Sequence, residues 1–185
     1  IQKYRQGIGA YAAGLVCDGD AIFINGSQTA LGLLSFIGEK QVRVNTNNGW
    51  AIEREYPENV KIHLIGGELY RHVMIGEYVV QNLFHMTANK TFLGCAAVYD
   101  DGEFRYDIPT EIGINEIMIS RTSGELYVLA DHSKLKKRVG AANAYGSFRY
   151  NYPVTLVTDD QADQEILGKL AEHDIKIIQV STAES

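Results

Sequence analysis

Thiols are scarce in this sequence. Its 185 residues hold two cysteines, Cys17 and Cys95, and these do not form a CxxC pair. That excludes a disulfide framework and a thiolate zinc site, and leaves free thiols of the kind a cytoplasmic protein carries. Metal-ligand spacing is missing as well. His63, His72, His85, His132 and His173 lack cysteine or acidic partners at suitable intervals, so neither a metal nor a cofactor is expected. Positive charge is in deficit: 17 Lys and Arg against 23 Asp and Glu give a formal net charge of −6. A duplex binder must neutralise phosphates, so this chain by itself is not expected to hold nucleic acid. The one basic cluster, SKLKKR at Ser133–Arg138, reads as a solvated loop. No apolar run is long enough to cross a bilayer, and no secretory signal pattern is present. Internal repeats and low-complexity linkers are also missing. The sequence opens on Ile1 rather than methionine and is expected to be a piece of a longer or processed product.

What is present is a core. Hydrophobic residues make up 45% of the chain, and its length suits one domain. Tyr4, Ile8, Tyr11, Ala12, Leu15 and Val16 recur at helical intervals and predict an amphipathic N-terminal helix. Strands are predicted at Ile22–Asn25, in QVRVNTNN, at Val60–Ile65, and in KTFLGCAAV, ELYVLADHSK, PVTLVTDD and DIKIIQV. Helices are predicted after Asn25, after NTNN (carrying Trp50, Ala51 and Ile52 inward), and over Gly76–Phe84, Thr110–Ile119 and Glu165–Glu172. Strands alternating with helices call for right-handed crossovers and a largely parallel sheet covered on both faces.

The polar residues gather at particular places. NGSQT, NTNN, GGELYR and DHSK each follow the C-terminal end of an apolar strand, and in open parallel sheets ligands bind outside those ends. At Asn25-Gly26-Ser27-Gln28-Thr29, Gly26 lets the backbone approach a ligand closely, and Ser27, Gln28 and Thr29 offer donors at the start of a helix. Two readings stand on these residues alone: a phosphate cradle, or a serine that merely caps the helix. Lys134, just past another strand end, could supply a point charge to the same anion, and Asp131 could orient it or accept hydroxyl hydrogen bonds.

Taken in order, DGDAIFINGSQTAL, VNTNN, IHLIGGELYR, NKTFLG, VLADHSK and LVTDD resemble the C-terminal effector domain of DeoR-type bacterial transcriptional repressors, from about Lys3 to Val180. The resemblance implies a Rossmann-like α/β fold akin to ribose-5-phosphate isomerase and glucosamine-6-phosphate deaminase, forming a single effector-binding domain over residues 1–185. It implies a phosphorylated sugar or related metabolite as effector. It implies too a winged helix-turn-helix that reads operator DNA ahead of this chain and absent from it, and a homo-oligomer. By the same resemblance, phosphate falls at Gly26, Ser27, Gln28, Thr29 and Lys134. The sugar falls at Asn25, Asn45, Thr46, Asn47, Gly66, Gly67, Arg71, Glu111 and Asp131. Gln28 departs from the family's Ser-Gly-Thr-Thr or Gly-Ser-Thr, and Asn115 and Glu116 stand where lysine and arginine are usual.

The fold alone does not separate a sensor from an isomerase. Isomerisation needs a general base and groups that stabilise an enediolate. By the resemblance, the aspartates of the isomerase fall on Ala96 and Tyr99, and YDIPTE stands where the isomerase has a glycine-rich stretch ahead of Glu111. The expectation is therefore a sensor and not an enzyme. An isomerase-like enzyme is one alternative. The other is an oligomerisation module with a vestigial pocket, for which Tyr145, Phe148, Tyr150 and Tyr152 could form the interface.

Overall fold

The computed structural model describes residues 1–140 and 147–182. Helix α1 (Gln2–Leu15) leads into strand β1 (Ala21–Ile24). Ser27 then caps a short helix, α2 (Gln28–Leu31), which tightens into a 3-10 turn over Gly32–Phe36. Strand β2 (Val42–Thr46), a 3-10 turn at Gly49–Glu53 and strand β3 (Val60–Leu64) follow. Next come a hairpin of β4 (Glu68–Tyr70) and β5 (Val73–Ile75), helix α3 (Glu77–Leu83) and strand β6 (Ala88–Leu93). Strands β7 (Ala97–Tyr99) and β8 (Phe104–Arg105) precede helix α4 (Thr110–Ser120) and strand β9 (Thr122–Leu129). A 3-10 turn at His132–Lys134, β10 (Leu135–Lys136), β11 (Ser147–Phe148), β12 (Val154–Asp159), α5 (Gln164–Glu172) and β13 (Ile175–Val180) complete the order.

Seven strands form one sheet, in the order β13-β12-β9-β6-β1-β2-β3. Every pairing in it is parallel. Alternation along the strands feeds two cores. Ile22, Ile24, Val44, Phe92 and Leu129 meet α1 and α2 on one face. Phe23, Leu93, Val128 and Leu156 meet α3, α4 and α5 on the other. A small sheet, β10-β7-β8-β11, adds Val98 and Phe104 to the second core.

Two details depart from the sequence reading. KTFLGCAAV is not one strand: the chain leaves the main sheet at Gly94 and re-enters pairing at β7 in the small sheet. Ile52 does not point inward but is 73% exposed. A 3-10 turn has three residues per turn, and here Ala51 takes the buried side while Ile52 faces solvent. Two of the four cations in the basic cluster are held in ion pairs. Lys137 pairs with Glu165, and Arg138 pairs with Asp101 and Glu103 and lies over the Tyr99 ring. Among the described residues no helix is long and apolar enough to cross a membrane.

Phe92 is fully buried at the centre of the sheet, its ring 5.1 Å from that of Tyr127 and nearly parallel to it. Phe92→Ala leaves a cavity that the surrounding strands cannot close and is expected to cost about 3–5 kcal/mol. Chemical denaturation of the two proteins checks this.

Candidate functional site

Strands β1, β2 and β3 run outward in one direction from the middle of the sheet, and β6, β9, β12 and β13 run outward in the other. The order reverses between β1 and β6, which are neighbours. Such a switch point leaves a crevice outside the carboxyl ends of the two strands. A cavity of about 260 Å³ lies there, with Gly26 and Ser27 beyond β1 and Gly94, Cys95 and Ala96 beyond β6 on its wall. Arg71 and Val73 enter from the hairpin, Tyr106, Asp107, Ile108 and Glu111 from the start of α4, and Lys134 from the turn after β9.

Buried amides fix the two strand ends. Asn25 Oδ1 accepts hydrogen bonds from Gly94 N at 2.9 Å and Ser27 N at 3.3 Å, and Asn25 Nδ2 donates to Gly94 O at 3.0 Å. Asn48 Nδ2 donates to the carbonyls of Asn25 and Ser27, and the Thr46 hydroxyl donates to Ile24 O. Ser27 Oγ accepts from Ala30 N and so caps the helix. The first-turn N–H groups of Gln28 and Thr29 reach no acceptor among the described residues. Two glycines are required by contact. A Cβ on Gly94 would stand 1.9 Å from Ser27 Oγ, and one on Gly26 would stand 2.6 Å from Glu111 Oε1.

The hairpin is fastened to β2. Met74 N donates to Asn47 O, Gly49 N donates to His72 O, and the Trp50 and His72 rings stack at 3.8 Å. Its two-residue tip, Arg71-His72, has φ of 47° and 66°. A turn of this kind usually takes Asn-Gly, yet here a guanidinium stands at the cavity.

Asp131 is fully buried, and its carboxylate accepts from Ser133 N, Ser133 Oγ and Arg5 Nε. Burial works to raise its pKa, and the bonds from Ser133 and Arg5 outweigh that and hold it below the usual carboxylate value. It therefore shapes the turn that presents Lys134. Neither Lys134 nor Arg71 has a carboxylate within ion-pair distance among the described residues, whereas Arg5, Lys90, Lys137, Arg138 and Lys169 all do. Burial lifts the Cys95 thiol to about 12, against the pull of Lys134, and so keeps it protonated. Burial, with Asp107 adding like charge, raises Glu111 to about 7.

Of the residues singled out from sequence, Asn25, Gly26, Ser27, Arg71, Glu111 and Lys134 line this cavity. Gln28 and Thr29 lie on the other side of the turn, in a separate cleft with Arg5 and Arg54. Asn45, Thr46 and Asn47 are buried: Asn45 Oδ1 meets His63 Nδ1, and Asn47 Nδ2 donates to Met74 O. Gly66 and Gly67 lead into the hairpin, with Gly67 packed against Ile75 O. Sequence reasoning passed over Val73, Tyr106, Asp107 and Ile108 as wall residues, and took the Gly94-Cys95-Ala96 strand end only as the place where the isomerase carries an aspartate. Gly94-Cys95-Ala96 was discoverable, since it too follows a strand end. Tyr145 lies outside the described residues. Tyr150 is buried and bonds the Tyr106 hydroxyl, while Tyr152 is half exposed.

The fold and cavity define a doubly wound α/β protein with a polar crevice at its switch point. A family model described as the DeoR C terminal sensor domain matches residues 2–160, and the chain belongs to that family. It is 24% identical over 182 residues to the HTH-type transcriptional repressor GlcR of Bacillus subtilis (strain 168), covering 96% of this chain and 68% of that protein. Two other curated regulators are spanned over 58% and 51% of their lengths. Among solved structures, ribose 5 phosphate isomerase A from Neisseria gonorrhoeae matches with a TM-score of 0.52 at 13% identity, over 74% of this chain and 54% of that one. The translation initiation factor eIF-2B of Pyrococcus horikoshii OT3 matches with a TM-score of 0.56 at 15% identity, over 77% and 50%. These two likenesses show the fold.

Two outcomes follow from the geometry. Gly94→Ala must displace Ser27 and is expected to cost about 1–3 kcal/mol, measured by thermal denaturation. Glu111 holds its proton more tightly in the fold than its ordinary value of 4.5. Its contribution is thus complete below about 4.5 and lost as pH rises through about 7. Between pH 5 and 8 the wild type should lose on the order of 2–3 kcal/mol more stability than Glu111→Gln, read by urea denaturation at both pH values.

Proposed function

We propose that this chain is the ligand-sensing domain of a DNA-binding transcriptional repressor of sugar metabolism, and that its effector is a phosphorylated sugar. One observation carries the reading: Arg71 and Lys134, each without a carboxylate partner among the described residues, line a switch-point cavity together with the Gly26–Ser27 turn. Cations left unpaired at a polar crevice suit an anionic group, and a cavity of about 260 Å³ suits a small molecule. The relatives' description as transcriptional regulators supports a regulatory role.

In this reading the phosphate docks on Gly26, Ser27 and Lys134, beside the Glu111 carboxyl group, and Arg71 meets the rest of the ligand. Asn25 and Asp131 hold those groups in place. Residues 1–185 act as one effector domain in the cytoplasm, and operator DNA is read by a separate helix-turn-helix ahead of it. Two copies assemble to match a two-fold operator. The ligand alters DNA binding through its differential affinity for two arrangements of the assembly. Catalysis is not part of this reading, because Ala96 and Tyr99 stand where the isomerase resemblance puts carboxylates.

A thermal-shift screen against phosphorylated sugars, with the free sugars as controls, is expected to give a selective rise in Tm for one phosphorylated member. Lys134→Ala should weaken that compound at least about tenfold, the loss of one charge-assisted hydrogen bond, and leave the free sugar unaffected. Equal weakening of both would sink the phosphate assignment. Turnover of the compound would restore the isomerase alternative.

A further inference from the structure

Glu111 is the feature that a simple anion site does not explain. It begins the first turn of α4 and is about nine-tenths buried. Its side chain has no hydrogen-bond or ion-pair partner among the described residues, and it faces the cavity. One carboxyl oxygen stands directly over the Gly26 backbone, at 2.6 Å from where a Cβ would be. A carboxylate placed there would repel any anion resting on the Gly26–Ser27 turn. A carboxylic acid placed there would donate a hydrogen bond to it.

The groups around Glu111 come from every neighbouring element. Asp107 and Tyr106 precede α4, and Tyr150 lies behind Tyr106. Asn25 and Asn115 are bonded to each other below the turn. Cys95 follows β6, Lys134 follows β9, and Arg71 caps the hairpin. Neither cation ion-pairs with Glu111. Burial, with the like charge of Asp107, favours the protonated acid.

Resting on the anion-site reading above, we propose that Glu111 is a specificity-determining hydrogen-bond donor, and that the site takes its anion together with one proton held on this carboxyl. The ligand class follows: an oxyanion with an unprotonated oxygen able to accept from Glu111, such as a phosphate monoester dianion. Binding is then linked to pH through the protein as well as through the ligand.

Sulfate is the probe, because its charge does not change between pH 5.5 and 8.5 and any pH dependence belongs to the protein. Titration calorimetry is expected to show sulfate affinity falling about 30-fold between those limits, with uptake of close to one proton at pH 8 in buffers of differing ionisation enthalpy. Glu111→Gln carries an amide that donates at every pH, and its affinity should vary far less over the range. Identical pH profiles for wild type and Glu111→Gln would overturn the proton linkage. Lys134→Ala separates the two ideas. If it abolishes sulfate binding while the wild-type profile is flat, the anion site stands and the donor role of Glu111 fails. If sulfate does not bind the wild type, or binds Lys134→Ala equally well, the anion site and the inference that rests on it both fail.

Discussion

The two strand ends that floor the cavity depend on one buried amide. Asn25 bonds both the N–H and the C=O of Gly94, and so imitates a strand partner at the point where β1 and β6 stop pairing. A parallel sheet that reverses its order leaves its two central strand ends free to splay. A polar group buried there has to be fully bonded to be tolerated, and Asn25 is: its remaining capacity goes to Ser27 N and Asn115 Oδ1. With those ends locked, Ser27 can press against Gly94 and Glu111 can lie over Gly26. The two glycines and the one asparagine therefore form a single constraint.

The sheet was legible because its inner strands are largely buried on both faces and read as apolar runs, and because each polar end is short and distinct. The switch point was not, since strand order depends on which crossovers go which way, and periodicity carries no such information. The site was legible where the backbone chemistry is local, as at Gly26-Ser27 and at the turn bearing Lys134. It was blurred where the same polar residues serve as fasteners. Asn45, Thr46 and Asn47 look like ligand contacts in a sequence, yet in the fold they bond carbonyls and a histidine that hold β1, β3 and the hairpin. Gln28 and Thr29 sit on the same turn as Ser27 but face away, because a helix turns about 100° per residue and three consecutive side chains cannot share one wall.

The fold is shared with an isomerase and with an initiation factor, so it does not by itself decide the chemistry. The chemistry of this chain has to be read from its cavity wall. Here the carboxyl groups on it are Asp107 and Glu111, both from one short stretch before and at the start of α4, and the β6 end contributes Gly94, Cys95 and Ala96. This wall offers cations and neutral donors from several sides and acidity from one.

The turn bearing Lys134 has a second attachment. Asp131 binds Ser133 on one side and Arg5 of α1 on the other, and the Tyr4 ring meets His132 edge-on at 4.9 Å. The first helix and the turn bearing the lysine thus share one buried carboxylate, and shortening Arg5 would leave that carboxylate one donor short at the point where the turn is shaped.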